Sequence, residues 1–346
     1  MQAQDQRFSF TGTGSEYFRI WIVNLFLTIL TLGIYSAWAK VRRMQYFYRN
    51  TRLNESSFDY HGTPMAILKG RLIGIALFGG YYLTLQFVPL LGLGIGLAIA
   101  LIMPVLLVWS FRFRLYNSSY RGLRFGFAGT VKEAYVAFLA LPIITLFTVY
   151  LLAPFTHQHI KNYQHSNSRF GQSAFNFKAG AAGFYKIYFF TFMQFLLVGA
   201  LFAYGGYTVF KGGMESMQSM PKEQMFLVIG MGVYALLIIA GLLIVPYFIS
   251  RIHNLVWNHT ELIGHRFSST QSASGLAWVI FSNFVLIVLT LGLFKPFADI
   301  RLARYKMERM ALLPAGNVDE FIASEQQRIG ATGTETAELF DIDIGF

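Results

Sequence analysis

Five pairs of side chains in this 346-residue sequence set a cation or an imidazole four residues ahead of an aromatic ring: Arg42/Tyr46, Arg112/Tyr116, His159/Tyr163, His253/Trp257 and Arg301/Tyr305. Residues four apart share a helix face. Such a pair suits a helix leaving a membrane, the ring at headgroup level and the cation against lipid phosphate. The chemistry is either retention of anionic phospholipid headgroups or plain interfacial anchoring. The histidines fall into two sets, His157/His159/His165 and His253/His259/His265, with His61 alone. Only Glu261 lies near them, and a metal site wants ligands sharing a face plus a carboxylate or thiolate. No metal is expected, and interfacial imidazoles titrating at about pH 6.5 are the simpler reading. The chain has no Cys, hence no thiolate nucleophile, disulfide or Cys-based cluster. Neither a Ser-His-Asp set, nor HExxH, nor a phosphate loop can be read. No enzymatic activity and no cofactor are expected.

A second set of polar residues sits inside apolar stretches. Asn24 and Asn283 each stand nine residues ahead of a glycine, Gly33 and Gly292. An Asn in hydrocarbon needs a partner. It either joins helices or, with Thr31 and Thr290, forms a polar lining for a permeant. Gly33 and Gly292 are the expected hinge or turn points. No convincing Asp, Glu, Lys or Arg stands deep in a segment, as a proton relay or ion site would require.

The elements that must position these residues follow from composition. Apolar residues make up 55% of the chain and charged residues 13%, about half the charge of a soluble domain. That excludes a conventional soluble enzyme and a disordered chain. Seven apolar segments lie near 18–39, 67–88, 90–111, 134–155, 184–210, 225–250 and 275–297, each near the length of about 20 residues that crosses a bilayer. The polar start, followed by an apolar run and then a basic one, argues against a cleaved leader. Residues 1–313 form the expected membrane domain. Residues 314–346 carry seven acids against Arg328 alone and form an acidic tail.

The chain also resembles itself. Laid without gaps on 283–305, residues 24–46 match at 9 of 23 positions, among them Asn24/Asn283, Gly33/Gly292, Arg42/Arg301 and Tyr46/Tyr305. A second motif alternates aromatic and small residues at 8–12, 58–62, 125–129 and 175–177, with a degenerate copy at 266–268. Alternation of period two that ends in Gly predicts short strands. The expected fold is an all-α polytopic membrane protein built from internal repeats, with these Phe-x-Phe strands at the membrane surface. The repeating unit, with Thr-Leu-Gly at 31–33 and 290–292, resembles the YjgN family of multipass bacterial inner-membrane proteins across nearly the whole chain. The resemblance implies a bacterial inner (cytoplasmic) membrane location and no particular chemistry.

Two topologies compete. Leaving aside Arg328 of the tail, if all seven segments cross, 19 Lys/Arg lie on one side and 8 on the other. If segments one, four and seven re-enter, breaking at Gly33, near Pro142 or Tyr150, and at Gly292, then 25 Lys/Arg face Lys211 and Lys222 alone. The second asymmetry is stronger by the positive-inside rule, and both put the C-terminus in the cytoplasm. The alternating end, 340–346, is expected to dock as a strand. Net charge is +11, and anionic phospholipids of the bilayer account for it as partner rather than nucleic acid. The sequence specifies no oligomeric state. Two functions follow: a transport or channel-type protein for a small or lipid-like solute, or a non-transporting membrane scaffold that binds anionic lipid.

Overall fold

The computed structural model describes residues 5–212 and 221–332. One pattern recurs five times: a five-residue strand, an excursion of helices, and a short return strand. The first unit is β1 (Gln6–Phe10), α1 (Gly14–Leu30), α2 (Ser36–Arg49) and β2 (Thr51–Leu53). The second is β3 (Ser56–Tyr60), α3 (Pro64–Phe87), α4 (Pro89–Tyr116) and β4 (Ser118–Tyr120). In the third, β5 (Leu123–Phe127) leads into α5 (Val131–Tyr135), a π-helical turn (Val136–Ala140), α6 (Leu141–Phe147), α7 (Ala153–Ser166) and β6 (Ser168–Phe170). The fourth is β7 (Ser173–Phe177), α8 (Ala181–Gly212), α9 (Lys222–Asn258) and β8 (Thr260–Leu262). The fifth is β9 (His265–Ser269), α10 (Ala273–Leu289), α11 (Lys295–Met307) and β10 (Met310–Leu313). Helix α12 (Val318–Thr332) follows.

The strands close into one antiparallel barrel in chain order, sealed by β1 against β10 with Gln6 opposite Leu312. This corrects the all-α expectation. The Phe-x-Phe strands are staves of a ten-strand barrel, each hydrogen-bonded on both edges, rather than isolated pieces at a surface. The cause is the return strands, which pair Phe8 with Leu53, Phe58 with Tyr120 and Phe125 with Phe170. A closed barrel leaves no unpaired edge.

Alternation sorts the faces. Phe8, Leu53, Tyr120, Leu123, Phe170, Leu262, Met310 and Leu312 form one buried core, with Phe58, Phe125, Phe175 and Phe267 packed on it. Arg52, Arg124, Arg169 and Arg266 point outward and are exposed. The barrel is thus filled inside and polar outside. Tight turns close the hairpins at one end, with Arg121-Gly122 and Ile263-Gly264 both at positive φ, as the twist of a two-residue hairpin demands. Helix α12 lies across that end. Its Val318 and Ile322 join the barrel core. Its Glu325, 1% exposed, accepts from Gln172 N–H and Ser173 Oγ, each at 2.8 Å. The tail alternation at 340–346 lies outside the described residues.

From the other end the helices leave in two lengths. Helices α3, α4, α8 and α9 are long and apolar enough to cross a membrane. Helices α1 and α10 have 17 residues each, about 25 Å at 1.5 Å per residue, short of the roughly 30 Å hydrocarbon core. Apolar segments one, four and seven are each broken by a turn of one design. Gly33 N–H reaches Thr28 O, Tyr150 N–H reaches Thr145 O and Gly292 N–H reaches Ile287 O, at 2.8, 2.9 and 2.8 Å. Leu32 and Gly33, Val149 and Tyr150, and Leu291 and Gly292 all hold positive φ. These bonds satisfy the turn backbone internally, which a turn at membrane depth requires. The tips are greasy, with Leu32 and Leu291 each 95% exposed.

Candidate headgroup groove between α1 and α2

The groove starts from the capping of α1. Thr13 Oγ1 accepts from Glu16 N–H, and Tyr46 of α2 bolts to the same cap. Its hydroxyl accepts from Thr13 N–H at 2.9 Å and faces Thr13 O and Glu16 Oε2 at 3.1 and 3.0 Å. Burial, reinforced by the Glu16 carboxylate, pushes the Tyr46 phenol above its ordinary range, so it stays a neutral hydroxyl. Tyr163 and Tyr305 repeat the bolt on Thr130 O and Ser272 O.

With α1 and α2 so fixed, a cavity of about 520 Å³ opens on their outer face, lined by Arg19, Ile20 and Val23 of α1 and by Arg42, Gln45, Tyr46 and Arg49 of α2. Arg49 pairs with Asp59 at 2.9 Å. The Arg42 guanidinium lies 5.7 Å from the Tyr35 ring centre. Among the described residues, neither Arg19 nor Arg42 meets a carboxylate. The cleft combines two cations without counter-charge and an apolar wall, which is the arrangement a phospholipid headgroup and its glycerol need.

The other sequence-selected residues are distributed differently. Arg301 gives Nη1 to Asn283 Oδ1 at 2.7 Å and Nη2 to Ser282 Oγ at 2.9 Å. Asn283 Nδ2 donates to Ala298 O at 3.1 Å. Asn24 and Asn283 are 6% and 7% exposed, and Asn24 Oδ1 is buried without a partner among the described residues. Thr31 and Thr290 serve their turns: each donates to the carbonyl four residues back, at 2.7 Å, and accepts the N–H four residues on, at 2.9 Å. Arg112 donates to Gly129 O, and Tyr116 lies under the Arg124 guanidinium at 4.4 Å. His159 stacks on Phe155.

His253 and Trp257 turn inward, His253 to Ser269 Oγ at 3.0 Å and Trp257 onto Phe267. The five pairs are therefore not equivalent. Counted to the strand that follows, Tyr46, Tyr163 and Tyr305 hold one position, while Tyr116 and Trp257 stand closer to it. Sequence reading missed Arg19, Gln45 and Arg49. Their signal was present at helical spacing: Arg42, Gln45 and Arg49 share one face of α2.

A family described as "Bacterial protein of unknown function (DUF898)" matches residues 5–339. The chain belongs to that family. It is also similar to the inner membrane protein YjgN of Salmonella typhimurium strain LT2, 34% identical over 148 residues, which is 41% of this chain and 36% of that protein. The Escherichia coli O157:H7 protein of the same name is 30% identical over 145 residues, 42% of this chain and 36% of its own length. The matched stretch thus spans about a third of these relatives. No solved structure matches. Long apolar helices and YjgN relatives together make this DUF898 member a membrane protein in a lipid environment.

Proposed function

We propose that this DUF898 member is a multipass protein of the bacterial inner membrane that holds anionic phospholipid headgroups, acting as a scaffold rather than a conduit. The observation that carries the reading is the α1/α2 groove, where Arg19 and Arg42 stand unpaired over Ile20 and Val23. A transport path lined by Asn24 and Asn283 draws no support from residues packed between helices.

The common barrel supports one topology. All ten strands share it, so α3/α4 and α8/α9 cross as pairs while the three shorter hairpins re-enter. Lys211 and Lys222 then lie opposite the other basic residues, and the positive-inside rule puts the barrel and the C-terminus in the cytoplasm. The cysteine-free chain allows a direct check: single cysteines at Ser9 and Ser57 should be labelled by an impermeant reagent from one and the same face.

For function, the purified protein is placed in nanodiscs of mixed phosphatidylglycerol and phosphatidylethanolamine, and the retained lipid is read by native mass spectrometry. Each cation near an anionic surface contributes about 1 kcal/mol, so Arg19→Gln/Arg42→Gln should cut phosphatidylglycerol retention roughly 30-fold. Unchanged retention overturns the reading.

A further inference from the structure

The returning helices α2, α4, α7, α9 and α11, each of which leads into a return strand, carry a second set of cations, on α2 on the face opposite the groove. Lys40 and His157 stand about three helical turns ahead of the strand that follows, Lys161 and His253 two turns, and Arg114 and Lys306 one turn. Steps of three, four and seven residues return to the same helix face. On α2 the groove takes Arg42, Gln45 and Arg49, while Ala37 and Val41 pack against Ile67 of α3. Lys40 is left for the inner side.

The five helices bring these groups together at the membrane-side mouth of the barrel. Arg114 lies within electrostatic reach of both Lys40 and Lys161. Lys161 reaches His157, His165 and His253, and Lys306 reaches His253 from the far side. Every unit contributes.

Among the described residues of α11, Asp299 stands seven residues ahead of Lys306 and so on its face, and it is already held by Lys295 and by Arg43 at 3.6 Å. Among the described residues Lys40, Arg114, Lys161 and Lys306 form no ion pair, and Lys161 Nζ meets only Gln164 Oε1, at 3.3 Å. Lys40, Lys161 and Lys306 are half-buried, while Arg114 is exposed with its guanidinium 5.6 Å from the Phe111 ring centre; like charges repel, and desolvation adds to the cost where they are buried. Burial, with Arg114 beside it, holds the Lys161 ammonium below its usual range, and Lys40 is lowered by burial, Arg71 and Arg114. Burial and Lys161 push His157 down to about 4, and burial, Lys161 and His253 do the same to His165. Both imidazoles therefore add no positive charge at pH 7; His157 Nδ1 meets the Tyr188 hydroxyl at 3.1 Å and His165 Nδ1 meets Thr260 Oγ1 at 3.3 Å. Below the mouth the barrel is filled by aromatic rings, so whatever enters stops there.

We propose that this mouth is a dead-end binding site for a multiply charged phosphoryl anion, held by Lys40, Arg114, Lys161 and Lys306 from four of the five units. The same chemistry is offered by a free pyrophosphate-like ion and by a phosphorylated lipid headgroup. The site is independent of the outer groove.

The test uses the full-length protein in detergent. Titration with inorganic pyrophosphate is followed by calorimetry at fixed ionic strength, and co-purified phospholipid is read by native mass spectrometry. Lys161→Gln and Lys306→Gln should each weaken the bound anion about tenfold, whereas Lys132→Gln, exposed on α5, should leave it unchanged. Loss of pyrophosphate binding identifies a free anion as ligand. Loss of a co-purified anionic lipid identifies a headgroup. Because it removes repulsion, Lys161→Gln should also raise the melting temperature of the ligand-free protein; a lysine kept for packing would lower it. Native protein that binds neither ligand, or an equal loss in Lys132→Gln, overturns the proposal.

Discussion

In the α10/α11 hairpin Arg301 turns inward and clamps Asn283 and Ser282. In the α1/α2 hairpin the matching Arg42 lies over Tyr35, and Asn24 Oδ1 stays buried without a partner. The two hairpins share their turn, their Tyr bolt and their buried Asn. What differs is small: Val23 stands where the fifth unit has Ser282, and Arg19 where it has Trp278. Without the Ser hydroxyl, the inward rotamer of Arg42 loses one of two acceptors, and the outward one gains an open cleft beside Arg19. Two side chains thus separate a closed structural hairpin from an open basic groove.

The largest effect should come from the buried amides. Asn283→Ala removes the acceptor of Arg301 and the donor to Ala298 O, so it should cost about 2–4 kcal/mol, since unmet buried polar groups cost about 1–3 kcal/mol each. Asn24→Ala deletes an acceptor that is already unpaired and should be neutral or slightly stabilising. Chemical unfolding in micelles compares them, and equal losses would erase the distinction drawn between the hairpins.

The turns should behave alike. Gly33 and Gly292 both sit at φ 94°, with open space where a Cβ would point. Alanine there meets only backbone strain, about 1–2 kcal/mol. Unfolding midpoints of Gly33→Ala and Gly292→Ala should fall together; a loss confined to one site would mean the turns are not one device.

The arginines should then split by readout. Arg301→Gln gives up two charge-assisted bonds and should lose about 1.5 kcal/mol of stability with lipid retention unchanged. Arg42→Gln should leave stability within about 0.5 kcal/mol while phosphatidylglycerol retention falls roughly fivefold, the worth of about 1 kcal/mol. Thermal melts and native mass spectrometry on the same samples read both.

How much of this was legible in the sequence follows from range. The Thr-Leu-Gly turns and the matched Asn residues were readable because a turn is local and its residues repeat at fixed spacing. So were parts of β1, β3, β5, β7 and β9, through the aromatic alternation at 8–12, 58–62, 125–129 and 175–177 and its degenerate copy at 266–268. The return strands were not: Thr51–Leu53 or Ser168–Phe170 is too short to show a period, and its pairing is set by residues far along the chain. Closure of the barrel was hidden with them. Nothing local says that a strand is paired on both edges, so the Phe-x-Phe runs look like strands at a surface. Helix α12 reads as an acidic tail until the barrel end that receives Val318, Ile322 and Glu325 exists. The basic–aromatic pairs were found by i, i+4 spacing, which fixes a shared face but not the direction it points. Arg42/Tyr46 and Arg301/Tyr305 therefore looked the same as His253/Trp257, which faces the interior.

The finest contrast rests on one hydroxyl. Val23→Ser gives α1 the acceptor that Ser282 supplies to α10, so Arg42 should swing inward, donate to the introduced hydroxyl and satisfy Asn24 Oδ1. Stability should then rise by about 0.5–1 kcal/mol while phosphatidylglycerol retention drops by up to about fivefold, as in Arg42→Gln, because one of the two groove cations has left. Ser282→Val should do the reverse in the fifth unit, freeing Arg301 at some cost in stability; with Trp278 in place of an arginine, it should gain little lipid. If Val23→Ser raises stability and leaves retention untouched, Arg42 was never a headgroup ligand and Arg19 carries the groove alone. If neither moves, the Arg42 rotamer is set by Tyr35 rather than by the missing acceptor.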